Sequence, residues 1–197
     1  MTAATNAAGF RIDYLARHPE HVGTLADLHV AEWRSILPDW TYAEAFAELA
    51  SHAVGPVIPT TFVALADDGA LLGSCSLLEN DHEEIREYSP WLASLYVLEE
   101  QRGRGVGSAL TRRVVAEAAA LGVAKLYLYV RDAQRFYESL GWRVCARYAF
   151  GELEVDVMSI EPRADSTASV VVPANTTPAG PANTTSVIPA KAGIGSD

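Results

Sequence analysis

The sequence has few cysteines and no hydrophobic run long enough to cross a bilayer. Its 197 residues include two cysteines, Cys75 and Cys145, which is too few for a disulfide framework. Each lies in a segment of alternating strand character, so we expect both to be buried thiols. Residues 1–9 lack the basic-then-apolar pattern of a secretory signal. We therefore expect a cytoplasmic protein that has no membrane partner.

Basic residues are also scarce, at 15 Lys and Arg against 25 Asp and Glu, for a net charge of −10. Nucleic acids recruit proteins through basic patches, so this charge argues against a nucleic-acid partner. The negative net charge favours a cationic substrate. With 49% hydrophobic residues, the chain is long enough for one α/β domain with a full core.

The composition divides the chain into three parts. Residues 1–9 are predicted to be flexible and 10–163 to form one folded domain. Beyond residue 163, Ser, Thr, Ala, Pro, Asn and Gly dominate, and Pro-Ala-Asn-Thr-Thr occurs twice. Such a segment buries too little apolar surface to offset its ordering entropy, so 164–197 is predicted to be a disordered, low-complexity tail.

Hydrophobic periodicity within the domain predicts the element order β-α-α-β-β-β-α-β-α-β-β, an α/β (α+β) fold with a mixed sheet and flanking helices. The predicted strands are 10–14, 61–66, 71–78, 91–98, 125–130, 142–150 and 153–160. The predicted helices are 24–36, capped by Thr24, 41–50, opened by a Thr41–Glu44 capping box, a long helix that ends before Gly122, and 133–140. Residues 79–90 are predicted to be a polar loop.

A glycine-rich turn joins strand 91–98 to the long helix. It reads Arg102-Gly-Arg-Gly-Val-Gly-Ser108. Glycines let backbone N–H groups turn inward without a Cβ in the way, and the turn opens a helix whose positive dipole end faces the same spot. The turn is predicted to bind a polyphosphate, most simply a pyrophosphate.

Two common phosphate-binding motifs do not fit this turn. A Walker loop ends in Gly-Lys-Ser/Thr, which is missing here. A dinucleotide fingerprint needs G-x-G-x-x-G and an acidic residue about 20 residues on, at the end of the next strand. Here the third glycine is followed by Ser108, and the next strand ends in Arg131-Asp132.

The pattern Arg102-x-x-Gly105-x-Gly107 resembles the acetyl-CoA pyrophosphate loop of the GNAT superfamily of N-acetyltransferases. The later segment Phe-Tyr137-Glu-Ser-Leu-Gly-Trp142 resembles that superfamily's Phe-Tyr-x-x-Leu-Gly-Phe segment, and the resemblance covers roughly residues 62–157. It implies a mostly antiparallel sheet of about seven strands in which two parallel strands, 91–98 and 125–130, splay apart to admit the pantetheine arm. It also implies acetyl-CoA as co-substrate and no metal.

The resemblance further implies which residues hold acetyl-CoA and supply the acid. The backbone of 95–97 would pair with the pantetheine, and a backbone N–H near Val97 would polarise the thioester. Tyr137 would be the general acid, because a phenol of pKa about 10 suits a leaving thiol of pKa about 8.5 to 9. The predicted cofactor-binding residues are Leu95, Tyr96, Val97, Arg102, Gly103, Arg104, Gly105, Val106, Gly107 and Ser108.

The general base stays open among the residues that follow strand 71–78, because both carboxylates and a histidine are present there. Glu79 and His82 are predicted as catalytic candidates and Asp81 as a substrate-binding residue. Trp33, on the first helix, is predicted to line the acceptor channel. The candidate bases are Glu79, Asp81, His82, Glu83 and Glu84, and together this acidic loop would attract an ammonium group.

Residues 130–135 form a shorter loop than in many members of the superfamily. The short form is loosely similar to a subset that includes the actin N-terminal acetyltransferase. The predicted function is acetyl transfer from acetyl-CoA to a primary amine of a protein, peptide or small molecule by direct attack. Two alternatives are a non-catalytic acyl-CoA-binding sensor, which would not need Tyr137, and a nucleotide-binding regulatory domain, which the missing Walker lysine disfavours.

Overall fold

A computed structural model of the chain describes residues 9–52, 57–151 and 153–163. The predictions for 164–197, and for 1–9 apart from Gly9, lie outside these residues. The described strands are β1 (Phe10–Tyr14), β2 (Thr60–Ala66), β3 (Leu71–Leu78), β4 (Trp91–Val97), β5 (Leu126–Val130), β6 (Arg143–Phe150) and β7 (Leu153–Ile160). The described α-helices are α1 (Val22–Trp33), α2 (Tyr42–His52), α3 (Val106–Ala120) and α4 (Gln134–Ser139). Across the described ranges, no helix combines the length and apolar character needed to cross a membrane.

The strands form one seven-stranded sheet in the order β1-β2-β3-β4-β5-β7-β6. Every neighbouring pair is antiparallel except β4 and β5, which run parallel. The predicted fold class, a mixed and mostly antiparallel sheet with flanking helices, is confirmed.

The parallel strands β4 and β5 meet at one end and then separate. A single register pair, Trp91 with Tyr127, joins them, although β4 continues to Val97 and β5 to Val130. A bulge contributes to this divergence: Ser94 has φ of 50°, and the β3–β4 register shifts nearby. Since bulges bend the strand that carries them, β4 turns away from β5. We call the resulting opening the β4–β5 gap.

Side chains alternate between the two faces of the sheet, and each face has its own core. On one face, Leu92 and Leu95 of β4 pack with α3 and α4. On the other, Trp91, Ala93 and Tyr96 pack with α1 and α2. We call these the α3/α4 face and the α1/α2 face. The β4–β5 gap is therefore bordered by residues of both cores, one core on each face of the sheet.

Two local predictions need correction and two are confirmed. The cap predicted at Thr24 is wrong, because a 3₁₀ turn carries the chain directly into a helix that begins at Val22. The Thr41–Glu44 capping box is confirmed by reciprocal hydrogen bonds of 2.8 and 3.3 Å. Cys75 is buried as predicted, but Cys145 is exposed, since it lies at a register irregularity between β6 and β7.

Candidate active site

The glycine turn leaves the first backbone N–H groups of α3 without helical partners. Gly103 and Gly105 have φ of 75° and 83°, a left-handed conformation that glycine adopts without strain. Gly105 is the N-cap of α3, and its carbonyl accepts the first helical bond, from the N–H of Ala109, at 3.0 Å. The N–H groups of residues 106–108 therefore point beyond the helix end, where the dipole favours an anion.

Gly107 brings this helix end close to the gap. A Cβ at Gly107 would lie 3.5 Å from Val97 Cγ2 and 3.6 Å from Phe136 Cζ. Bare backbone of the first turn of α3 thus faces the end of β4 and the start of α4. The glycine turn is therefore adjacent to the end of β4 that borders the gap, and this placement suits a ligand with a phosphate at one end and an extended arm at the other.

The two arginines of the turn have different surroundings. Arg102 donates from Nε to the carbonyl of Val97 at 3.1 Å, and its guanidinium lies 3.9 Å from the Glu32 carboxylate. It links the end of β4 to α1. Arg104 is exposed and donates to Gln101 Oε1 at 2.5 Å. Of the two arginines, Arg104 is therefore the more exposed to solvent.

Tyr137 lies on α4 and is fully buried on the α3/α4 face. Its ring packs edge-on against Phe136 at 4.9 Å and Trp142 at 6.1 Å. Burial and, to a lesser extent, the nearby Cys75 thiol raise the pKa of Tyr137 well above its usual value. The hydroxyl is therefore a proton donor, and it has no hydrogen-bond partner within the described part of the chain.

Further buried polar atoms without a hydrogen-bond partner among the described residues lie near the gap. They include Nε1 of Trp91 on β4, the hydroxyl of Tyr129 on β5 and Nε1 of Trp33 on α1. Folded proteins satisfy the great majority of buried polar groups, so each exception needs an explanation. A polar ligand within the gap would supply partners for groups on both of its faces.

The acidic segment after β3 does not converge on one point. Glu79 is exposed, and its carbonyl accepts a bond from Ser89 Oγ at 2.6 Å. Asp81 is fully buried, as is Ile85 of the 3₁₀ turn Glu83–Ile85. The prediction of a polar loop over 79–90 is therefore wrong for these two residues, which pack beneath the segment.

His82 is half-buried between solvent and the sheet. Its ring stacks on Phe150 at 3.8 Å, and its Nδ1 accepts a bond from the N–H of Glu84 at 3.2 Å. The neutral ring therefore carries its proton on Nε2. Burial lowers the pKa of His82, against the opposing effect of Glu84 and Glu83. Because its proton-accepting nitrogen is engaged, this geometry does not favour His82 as the base.

Trp33 lies next to the predicted cofactor strand. It is 1% exposed and packs edge-on against His29 at 4.8 Å and Tyr96 at 6.5 Å. His29 itself is buried and bonds Ser74 Oγ at 3.0 Å. His29 and Tyr129 are not among the site residues predicted from the sequence. The alternation of Tyr127 and Tyr129 with leucines on β5 was the available signal for the latter.

The sequence model of the acetyltransferase (GNAT) family matches residues 14–142. The chain belongs to this family and is an acetyltransferase that uses acetyl-CoA as donor and an amine as acceptor. The turn fits that donor, because it offers free N–H groups to a pyrophosphate and lies next to the end of β4 that borders the gap.

An uncharacterized N-acetyltransferase of Mycobacterium tuberculosis is 26% identical over 130 residues, which cover 64% of this chain and 70% of the relative. The spermidine N-acetyltransferase of Vibrio cholerae, solved with CoA and spermine, has a TM-score of 0.60 at 19% identity, over 79% of this chain and 96% of that one. An aminoglycoside 6′-acetyltransferase type Ii has a TM-score of 0.60 at 19% identity, over 76% and 96% of the two chains. At these identities the solved structures show a shared fold.

Proposed function

We propose that the protein acetylates a primary amine of a cationic acceptor by direct attack on acetyl-CoA inside the β4–β5 gap. The single observation that carries this proposal is the contact of the glycine turn, at Gly107, with Val97 at the end of β4 that borders the gap. The N–H groups of residues 106–108 anchor the pyrophosphate, and Arg104 adds positive charge. The backbone of Leu95 to Val97 pairs with the pantetheine as an added strand.

Within this arrangement, a backbone N–H near Val97 polarises the thioester carbonyl as charge develops on its oxygen. Tyr137 gives its proton to the departing thiolate of CoA. The buried Tyr137 hydroxyl supports this role because, among the described residues, it has no hydrogen-bond partner that would compete with the thiolate. Cys75 and Cys145 lie outside the turn, and burial raises the pKa of the Cys75 thiol, so direct attack by the amine is preferred over an acyl-cysteine intermediate.

Glu79 is the stronger candidate for the base. It is an exposed carboxylate at the end of β3, where it can receive the amine proton through a water. His82, by contrast, has its accepting nitrogen occupied by the N–H of Glu84.

Charge supports a cationic acceptor. The chain carries a net charge of −10, and an acidic rim surrounds the segment between β3 and β4. The exposed members of this rim are Glu79, Glu83, Glu84 and Glu87. Two proteins of the same fold act on spermidine and on aminoglycosides, both amines. We also propose a cytoplasmic location.

The test is release of free CoA thiol from acetyl-CoA with a panel of amines, with mass spectrometry of the products. The panel holds peptides with free amino termini, lysine peptides, polyamines and aminoglycosides. Acetylation of one or more cationic amines is expected. Acetyl-CoA binding without acetylation of any amine would contradict the proposal and leave the sensor alternative, which no present observation favours.

A further inference from the structure

An aromatic cluster lies on the α1/α2 face around Tyr129 of β5. We call it the Tyr129 cluster. Its rings are Trp91 and Phe150, each 5.8 Å from the Tyr129 ring, and His82 at 6.3 Å. Asp81, which immediately precedes His82, is fully buried, and its charge contributes to raising the pKa of Tyr129, after the larger effect of burial. Asp81 is therefore a buried acidic group whose charge acts on the Tyr129 phenol.

The surroundings of the Tyr129 hydroxyl indicate a ligand site. The residue is 1% exposed, and within the described ranges its hydroxyl has no hydrogen-bond partner. Buried hydroxyls in folded proteins are ordinarily paired. A hydroxyl can accept a hydrogen bond as well as donate one, so an N–H donor placed here would satisfy it.

The position of Tyr129 on β5 connects this cluster to the reaction. Tyr129 lies beyond Tyr127, the last β5 residue paired with β4. Its side chain is on the α1/α2 face, whereas Tyr137 is on the α3/α4 face. The two tyrosines therefore lie on opposite faces of the sheet. A molecule that enters the gap from the α1/α2 face would meet Tyr129, which lies on β5 beyond the paired residue.

The chemistry of the cluster suits a cation that stays charged. A carboxylate and the faces of aromatic rings both stabilise an ammonium group, and this raises the pKa of the amine. The attacking nitrogen, however, must lose its proton to attack the thioester. The group held in the cluster is therefore a different nitrogen from the one that is acetylated.

We infer that the Tyr129 cluster holds a second, non-reacting ammonium group of the acceptor, with Asp81 and Tyr129 as its specificity-determining contacts. The preferred substrate is accordingly an aliphatic diamine or polyamine. This inference rests on the proposed function, since it names the acceptor of that same reaction.

Two members of the cluster reach solvent. His82 and Phe150 are half-buried, unlike Asp81, Trp91 and Tyr129, so this stacked pair forms the solvent side of the cluster. The acidic rim lies on the same side, where Tyr148 donates to the Glu87 carboxylate at 2.5 Å. Its negative charge would concentrate a dication more strongly than a monocation.

The test compares two acceptors that differ only in the second nitrogen, hexane-1,6-diamine and hexylamine. The wild-type protein is expected to prefer the diamine by roughly tenfold or more in kcat/KM. Asp81→Asn should remove most of this preference, and Tyr129→Phe should reduce it severalfold. Both changes should lower kcat/KM for the diamine severalfold more than kcat/KM for hexylamine.

Matched controls use the same substitutions at exposed positions. Asp67→Asn and Tyr42→Phe should leave the diamine preference intact. Equal activity of the wild type on both acceptors would overturn the inference while leaving amine acetylation in place. So would a loss at Asp81→Asn that is the same for both acceptors.

A binding measurement covers the case in which a variant folds poorly or neither acceptor is acetylated. Calorimetric titration of the wild-type complex with CoA should show roughly tenfold tighter binding of the diamine than of hexylamine. This result, obtained without turnover, would support the cluster even if the proposed reaction failed. Equal binding of the two amines would contradict it.

Discussion

Trp91 and Tyr127 form the one register pair between β4 and β5 in the described residues. Beyond this pair, a bulge at Ser94 carries β4 away from β5. The glycine turn contacts the end of β4 at Gly107, and Tyr137 and Tyr129 lie in the cores on opposite faces of the sheet. The proposed function depends on this separation, since parallel strands that stayed paired would leave no space for the pantetheine arm or the amine.

Tyr137→Phe should separate catalysis from stability. The hydroxyl has no hydrogen-bond partner among the described residues, so its removal should leave the melting temperature unchanged or slightly raised. Loss of the proton donor should lower kcat by ~10²-fold or more. The measurements are thermal unfolding and steady-state thiol release, with Tyr42→Phe as the control. A destabilised variant that keeps full kcat would assign Tyr137 a packing role instead.

Gly105→Ala and Gly122→Ala form a matched pair at the two ends of α3. Their φ angles are 83° and 77°, and an added Cβ meets nothing within 4 Å at either position. Each alanine should cost a similar stability, about 1 kcal/mol, because both adopt the left-handed conformation. Only the change at Gly105 places a methyl group next to the N–H groups of residues 106–108, the proposed pyrophosphate site. Only this change should therefore raise the KM for acetyl-CoA, by roughly tenfold.

The outcome that contradicts this assignment is equally specific. If both alanine variants bind acetyl-CoA as the wild type does while losing the same stability, the turn at Gly105 serves the fold alone.

Two buried histidines should each lower the stability in mild acid, against the opposite effect of Glu48, whose pKa burial raises to about 7. Burial lowers the pKa of His29 to about 3 and that of His52 to about 4. In the unfolded chain both titrate near pH 6.5. Above that pH neither state is protonated, so there is no effect. As pH falls from about 6.5 towards 4, the unfolded chain binds protons that the folded chain excludes, and unfolding becomes easier by about 1.4 kcal/mol per pH unit per histidine.

Urea unfolding at a series of pH values from 7.5 to about 4.5 measures this slope. His52→Asn retains a group able to bond Thr61 Oγ1, which lies 3.2 Å from Nδ1 of His52, and it should reduce the slope by close to one proton. An unchanged slope in this variant would show that His52 is protonated in the folded protein.

Local sequence signals were sufficient to predict the sheet and the glycine turn. Alternation placed β1 and β3 at their observed bounds, and the capping box placed α2, because each signal depends on neighbours within a few residues. The turn could be recognised because Gly103 and Gly105 adopt a left-handed backbone conformation. Glycine adopts it without strain, so closely spaced glycines indicate such a turn in the sequence.

Features that depend on distant contacts could not be predicted in the same way. Asp81 lies in an acidic stretch, where a solvent-exposed side chain is expected, yet it is fully buried. Gly73 looks like an ordinary strand residue, yet a Cβ there would lie 2.4 Å from the carbonyl oxygen of Tyr96. The same holds for Tyr129, whose role depends on the strand separation and on the cluster that surrounds its ring.

Hydrogen exchange followed by mass spectrometry, with and without CoA, tests most directly whether the β4–β5 gap receives the cofactor. The account predicts that CoA protects peptides covering 92–98 as well as 102–108, because the pantetheine pairs with the open edge of β4 while the turn binds the pyrophosphate. Peptides from β6 and β7 should exchange at the same rate in both samples. Protection confined to 102–108, with 92–98 unchanged, would contradict the account, since CoA would then bind the turn without entering the gap.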